Sequence, residues 1–229
     1  IGTRMLAGVI FDFDGVIVDS HPLHLQTWRA FLLSQGKAVS DADLSFVQEG
    51  AKREEILRHF LGDITPEQAG RYGDEKDKLF EARAHEINLV GGFAEFLTKL
   101  DADGLPSAVA TSGGRRRVRQ ALDMFNLRTR FRAVVTGEDV VQGKPHPALF
   151  LMAAQVLEVD PRRILVCEDA VAGVMAAKTA GMKCVGIAAN SRRSLLTEAG
   201  ADLVVTDFAQ ANLADIRRLF GRPPSQTVS

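Results

Sequence analysis

Cysteine is scarce. The chain of 229 residues holds only Cys167 and Cys184. Each sits in an apolar stretch that reads as a strand, so buried free thiols in a reducing compartment are expected rather than a structural disulfide. An excess of one charge is also missing. Twenty-eight Lys and Arg stand against 29 Asp and Glu, a net charge of −1, which leaves no basic field for nucleic acid or anionic lipid. Long hydrophobic runs are absent too. The longest, near residues 6–11 and 108–110, fall far short of the ~20 residues a membrane span needs. No basic start, apolar core and small-residue cleavage site marks a secretory signal, and no solenoid-type repeat is visible. What is present is ordinary globular composition, 46% hydrophobic and 25% charged. A cytoplasmic protein is expected, with no nucleic-acid or membrane partner. A monomer is compatible with the near-neutral surface.

The apolar run over 6–12 ends in acids and Gly15, which reads as a buried strand opening into a loop. Helical spacing then occupies 23–33, 54–61 and 66–87, with Thr65-Pro66 as a cap followed by proline at the first helical position. Beyond Gly91-Gly92 the rhythm changes. Helices over 93–100, 118–125, 147–157, 171–180 and 191–198 alternate with strands over 107–111, 133–136, 164–167, 184–187 and 203–205, and a last helix spans 213–220. That alternation builds right-handed βαβ units and a parallel sheet covered on both faces. The fold expected is therefore α/β: a Rossmann-like parallel-sheet core with an inserted all-helical cap domain. The core is discontinuous, over 1–19 and 91–221, the cap spans 20–90, and 222–229 form a flexible tail. Residues 1–4 carry no pattern.

Asp12 and Asp14 stand at the carboxyl end of the first strand, where ligands of open α/β sheets bind. Period-2 geometry sends both carboxylates one way and Phe13 toward the core. They could equally cap the loop and a following helix. Glu168 and Asp169 end a later strand and add two acids, although the dipole of the helix after them would also welcome their charge. Carboxylates converging on one edge repel unless a cation compensates, and all-oxygen ligation with retained water suits Mg²⁺. The segment Thr111-Ser112-Gly113-Gly114 offers a hydroxyl, close backbone approach and free N–H groups at a helix start, either a phosphate cradle or a capped glycine turn. Lys144, in Gly143-Lys144-Pro145, could meet both carboxylates and phosphate or simply lie on the surface. Arg115, Arg116, Arg117 and Arg119 read as a solvated helix face.

Asp12-Phe13-Asp14-Gly15-Val16-Ile17-Val18-Asp19-Ser20, Thr111-Ser112, Gly143-Lys144-Pro145 and Glu168-Asp169-Ala170 with Gly173 resemble the four ordered motifs of the haloacid dehalogenase superfamily. The cap resembles that of its β-phosphoglucomutase-like phosphatase branch. The resemblance spans about residues 6 to 208 and implies an enzyme. Asp12 would be the nucleophile forming an aspartyl phosphate, and Asp14 the general acid/base. Asp12, the Asp14 carbonyl and Asp169 would hold Mg²⁺, with Glu168 as a ligand or just behind the ligands. Thr111, Ser112 and Gly113 would bind the phosphoryl group, and Lys144 would neutralise charge. Dehalogenases and phosphonoacetaldehyde hydrolases of the superfamily lack the aspartate that stands here as Asp14, so phosphoryl transfer is expected.

In the cap, the resemblance implies that His24 contacts Asp14 and that Arg53, in Gly50-Ala51-Lys52-Arg53, binds a distal phosphate. A packing histidine is the alternative for His24, and Trp28 reads as core. Lys76 would reach the substrate or lie on a solvated face. Mutases of this branch tend to carry Lys-Asn with tyrosine three residues beyond, where this chain has Lys76-Asp77 and Phe80. That departure favours a Mg²⁺-dependent phosphatase of a small phosphorylated metabolite, such as a sugar phosphate, over a sugar phosphomutase. The intact acid and lysine set argues against a non-catalytic binding module.

Overall fold

The structure of the chain is a computed structural model that describes residues 5–48, 51–190 and 192–221. The patternless start, the expected tail and Gly50 of the cap loop lie outside the described residues. The elements in chain order are β1 (Gly8–Phe11), β2 (Val18–Asp19), α1 (His21–Ser34), α2 (Asp41–Leu44), α3 (Arg53–Leu61) and α4 (Pro66–Glu81). They continue with β3 (Asn88–Leu89), α5 (Phe93–Ala102), β4 (Ser107–Ala110), α6 (Arg115–Met124), β5 (Ala133–Val135) and α7 (Ala148–Leu157). The last are β6 (Ile164–Glu168), α8 (Val171–Thr179), β7 (Lys183–Ile187), α9 (Arg192–Glu198), β8 (Leu203–Val205) and α10 (Leu213–Arg218).

Among the described residues the main sheet has six parallel strands in the order β5-β4-β1-β6-β7-β8. Both faces are covered, so its strands are apolar without alternation. Side chains still alternate between two cores. Val9, Phe11, Val109, Leu165 and Cys167 pack with Phe93, Phe96 and Phe208 on one face. Ile10, Ala108, Ala110, Ile164 and Val166 pack with Leu149 and Phe150 on the other. Cys167 and Cys184 are free and buried, as expected. The chain leaves β1 toward β4 on one side and reaches β6 on the other. The carboxyl end of β1 therefore lies at a topological switch point, where a crevice opens.

Helices α1 to α4 enclose a separate core of Trp28, Phe31, Leu32, Leu44, Ile56, Leu57, Ile64 and Ala69. Trp28 belongs to that core, as its spacing suggested. Thr65 caps α4 through a reciprocal box with Gln68, and Pro66 takes the first turn, so the sequence signal there was sound. Three local features departed from the sequence reading. α2 is an additional helix, nucleated by a Ser40–Asp43 capping box. α4 stops at Glu81 rather than near 87, because a 3₁₀ turn at Ala84–Glu86 redirects the chain. Finally, β2 pairs antiparallel with β3, Val18 opposite Leu89, forming a two-stranded crossing into the helical region. Strands of two residues have no periodicity to read. No described helix is long and apolar enough to cross a membrane.

Candidate active site

A cavity of about 100 Å³ opens at the carboxyl ends of β1, β4 and β6, roofed by α1, α3 and α4. That is room for several waters or a phosphoryl group. Asp12, Asp14, Thr111, Ser112, Gly113, Lys144, Glu168 and Asp169 line it from the sheet, and His24, Arg53 and Lys76 from the helices above. All the candidate residues thus meet in one place, although their sequence positions span most of the chain.

Its floor is electrostatically loaded. Lys144 is buried and donates from Nζ to Asp12 Oδ1 at 2.5 Å and to Glu168 Oε1. Glu168 Oε2 accepts the Ala170 N–H at 2.7 Å. Burial, reinforced by Glu168 and Asp169, pushes the Asp12 carboxyl up to about 8 despite the pull of Lys144. Burial likewise raises Glu168. Burial works against the Lys144 charge, but Asp12 and Glu168 outweigh it and hold its proton more tightly than usual. Asp169 receives a hydrogen bond from His21 Nε2 at 2.5 Å. Although burial opposes its charge, Asp169 raises His21 to about 8. Lys144 serves Asp12 and Glu168, while His21, with Arg192 at 3.9 Å, serves Asp169. The three carboxylates present clustered hard oxygen donors, the ligand type that suits a hard divalent cation. Among the described residues no three His, Cys, Asp or Glu side chains form a ready-made metal cluster. Backbone, water or substrate oxygens would therefore complete the shell.

Asp14 is held differently. Arg117 grips it in a fork, Nη1 to Oδ1 at 2.8 Å and Nη2 to Oδ2 at 2.5 Å. Ser20 Oγ donates at 2.5 Å and His24 Nε2 lies at 3.2 Å. Burial opposes the Asp14 charge, but Arg117 and His24 hold its carboxyl well below the usual range. The expectation that Arg117 lies on a solvated face is wrong. Arg117 is only 7% exposed, with its guanidinium 5.2 Å from the Phe80 ring centroid. A Cβ on Gly113 would come within 2.4 Å of Arg117 Nη2, so glycine there lets the guanidinium cross the loop to Asp14. Arg115 and Arg116 behave closer to the expectation, pairing near the surface with Asp139 and Glu81.

Above the acids, Lys76 Nζ donates to His24 Nδ1 at 3.0 Å, which leaves the imidazole proton on Nε2 facing Asp14. Burial, aided by Lys76, pushes His24 down to about 3. Lys76 is buried rather than solvated, and burial with Arg117 nearby lowers it to about 8. Arg53 Nη1 pairs with Asp77 Oδ2 at 2.5 Å. Thr111 Oγ1 accepts the Gly113 N–H at 3.1 Å, so that part of the expected cradle is folded on itself here.

The sequence reading missed His21 and Arg117. His21, His24 and Trp28 share one stripe of α1 at helical spacing, a signal for His21. Arg117 had a weaker one, a cation in the first turn of the helix after a glycine loop.

Comparisons with known proteins bear on the fold and the family. A family model described as haloacid dehalogenase-like hydrolase matches residues 9–187. Among curated relatives, a phosphorylated carbohydrates phosphatase of Thermotoga maritima is 33% identical, over 87% of this chain and 94% of its own. A β-phosphoglucomutase of Bacillus subtilis is 31% identical, over 91% and 92% respectively. An Arabidopsis thaliana 5-amino-6-(5-phospho-D-ribitylamino)uracil phosphatase is 30% identical over 93% of this chain, which spans only 57% of that relative's length. Of solved structures, a β-phosphoglucomutase from Clostridium difficile superposes with a TM-score of 0.85 at 25% identity, covering 94% of this chain and 97% of its own. CbbY from Rhodobacter sphaeroides, in complex with phosphate, gives 0.80 at 26% identity, covering 90% and 96%.

Proposed function

Because the chain belongs to the haloacid dehalogenase-like hydrolases, we propose that it is a Mg²⁺-dependent phosphatase of a small phosphorylated metabolite, a sugar phosphate or close analogue, working through an aspartyl phosphate. The observation that carries this reading is the Asp12–Lys144–Glu168 cluster. It sets a buried carboxylate nucleophile beside a fixed positive charge at the sheet's switch point. Phosphorylated carbohydrate phosphatases among the relatives support the substrate class.

Asp12, the Asp14 carbonyl and Asp169 would hold the Mg²⁺, with Glu168 as a further ligand or just behind them, and the ion when bound offsets carboxylate and phosphoryl charge. Asp12 attacks phosphorus as the ester P–O bond breaks, and the departing alkoxide takes a proton from Asp14. Water then gives a proton to Asp14 and attacks phosphorus, releasing orthophosphate and restoring Asp12. Arg117 holds Asp14 as a carboxylate, the form needed as base; service as acid requires that grip to loosen. Lys144 offsets charge on the nucleophile, and Thr111, Ser112 and Gly113 face the phosphoryl oxygens.

The test is a phosphate-release screen over sugar phosphates, with isomerisation of β-glucose 1-phosphate assayed in parallel. Release that vanishes in Asp12→Asn and on chelation supports the reading. Isomerisation without net release would assign the mutase reaction instead.

A further inference from the structure

The helical roof of the cavity carries a negative charge that phosphate binding does not call for. Asp77 lines the cavity together with Arg53 and Lys76. Its Oδ2 pairs with Arg53 Nη1 at 2.5 Å, and its Oδ1 lies 3.7 Å from Lys76 Nζ. The pairing is built into α4. A Cβ on Gly73, one turn before Asp77, would come within 2.5 Å of the Arg53 guanidinium, so glycine makes the groove in which Arg53 lies. Lys76 is buried and committed to His24. The roof therefore offers a guanidinium whose counterion, the Asp77 carboxylate, is already in place.

We propose that Asp77 restricts the enzyme to monophosphates whose non-reacting end is uncharged and hydroxylated. A second phosphate seated on Arg53 would stand against the Asp77 carboxylate, and like charges that close repel, more so because the Asp77 side chain is only 17% exposed. Neighbouring hydroxyls meet no such cost, because Arg53 donates and Asp77 accepts hydrogen bonds side by side. Discrimination arises from the repulsive element. The inference rests on the phosphatase reading and deepens it by naming the substrate class.

The experiment compares kcat/KM for fructose 6-phosphate and fructose 1,6-bisphosphate in the wild type, Asp77→Asn and Asp77→Glu, with p-nitrophenyl phosphate reporting core chemistry. The wild type should favour the monophosphate at least tenfold. Asp77→Asn should shift the ratio toward the bisphosphate by tenfold or more, chiefly through a lower KM for the bisphosphate. Asp77→Glu should keep the wild-type preference. A wild-type preference for the bisphosphate would overturn the proposal without any variant. An unchanged ratio in Asp77→Asn would do so too, as would identical behaviour of Asn and Glu. Absence of turnover on p-nitrophenyl phosphate in the wild type would mark failure of the phosphatase reading itself, and this inference would fall with it.

Discussion

Arg115, Arg116 and Arg117 are identical in chemistry and adjacent in sequence, yet have three different environments. Each residue of a helix is turned about 100° from the last. Arg115 therefore meets Asp139, Arg116 meets Glu81, and Arg117 turns inward to Asp14. Removing Arg117 leaves the Asp14 side chain, 18% exposed, with Ser20 and His24 alone, and losing that charged partner costs about 1.5–3 kcal/mol. The Arg116 side chain is 65% exposed, so its loss should cost no more than about 1 kcal/mol. Urea unfolding of Arg117→Ala and Arg116→Ala should show that gap, with turnover falling only in the former. Arg117→Lys keeps the charge but not the fork, and should lie between. Equal stability losses in the two alanine variants would return Arg117 to the surface.

At the scale of an element, α4 carries the chemistry of the helical roof. Ala69, Gly73, Lys76 and Phe80 form its buried stripe, which places a lysine where an apolar residue would ordinarily pack. Lys76 lies 5.3 Å from the Trp28 ring centroid and 5.1 Å from that of Phe80, a partial substitute for water. Its folded pKa of about 8 lies below the ordinary 10.5. The folded chain thus binds fewer protons than the unfolded one between those values, and stability rises with pH across that window. Below it the buried charge is a standing cost of roughly 1–3 kcal/mol. Lys76→Met should therefore gain more stability at pH 7 than at pH 10, measured by urea midpoints, while losing turnover on sugar phosphates. A gain that is the same at both pH values would mean that Lys76 is not held charged against burial.

For the whole molecule, the sheet's switch point gathers Asp12 and Glu168 around one buried lysine, Lys144. Asp12 is an acid whose folded pKa, about 8, exceeds its ordinary 3.8. The folded state then holds the extra proton, and stability is lost as pH rises between those values, by at most about 1.4 kcal/mol per unit. Asp12→Asn removes that dependence. Without divalent ions, the variant should gain on the wild type as pH goes from 5 to 8, by about 1 kcal/mol or more, and Mg²⁺ should shrink the difference. Urea midpoints in chelator and in Mg²⁺ would show it. A difference independent of pH would mean that Lys144 alone satisfies Asp12. Lys52 Nζ, donating to Val140 O at 2.7 Å and Val141 O at 3.0 Å, ties the roof to the sheet's loops across this same cleft.

Much of this was legible in the sequence, because it depends on local order. Strand and helix periods, the Thr65 cap, and acids at the ends of β1 and β6 are written in neighbouring residues, and the switch point follows from how βαβ units connect. That is why Asp12, Asp14, Glu168 and Asp169 could be brought to one edge from the sequence, whereas Lys144 joined them only through the family resemblance. What the tertiary structure alone decided is which partner each charge takes. Burial of Arg117 depends on Phe13 and Phe80 closing over it and on Gly113 leaving space, residues from separate segments. The pairing of Arg53 with Asp77 needs α3 and α4 side by side with Gly73 between them. Periodicity assigns a face to a side chain, but dielectric and counterion come from whatever packs against that face. In this protein those surroundings determine whether an arginine pairs at the surface, as Arg116 does, or steadies a cavity acid, as Arg117 does.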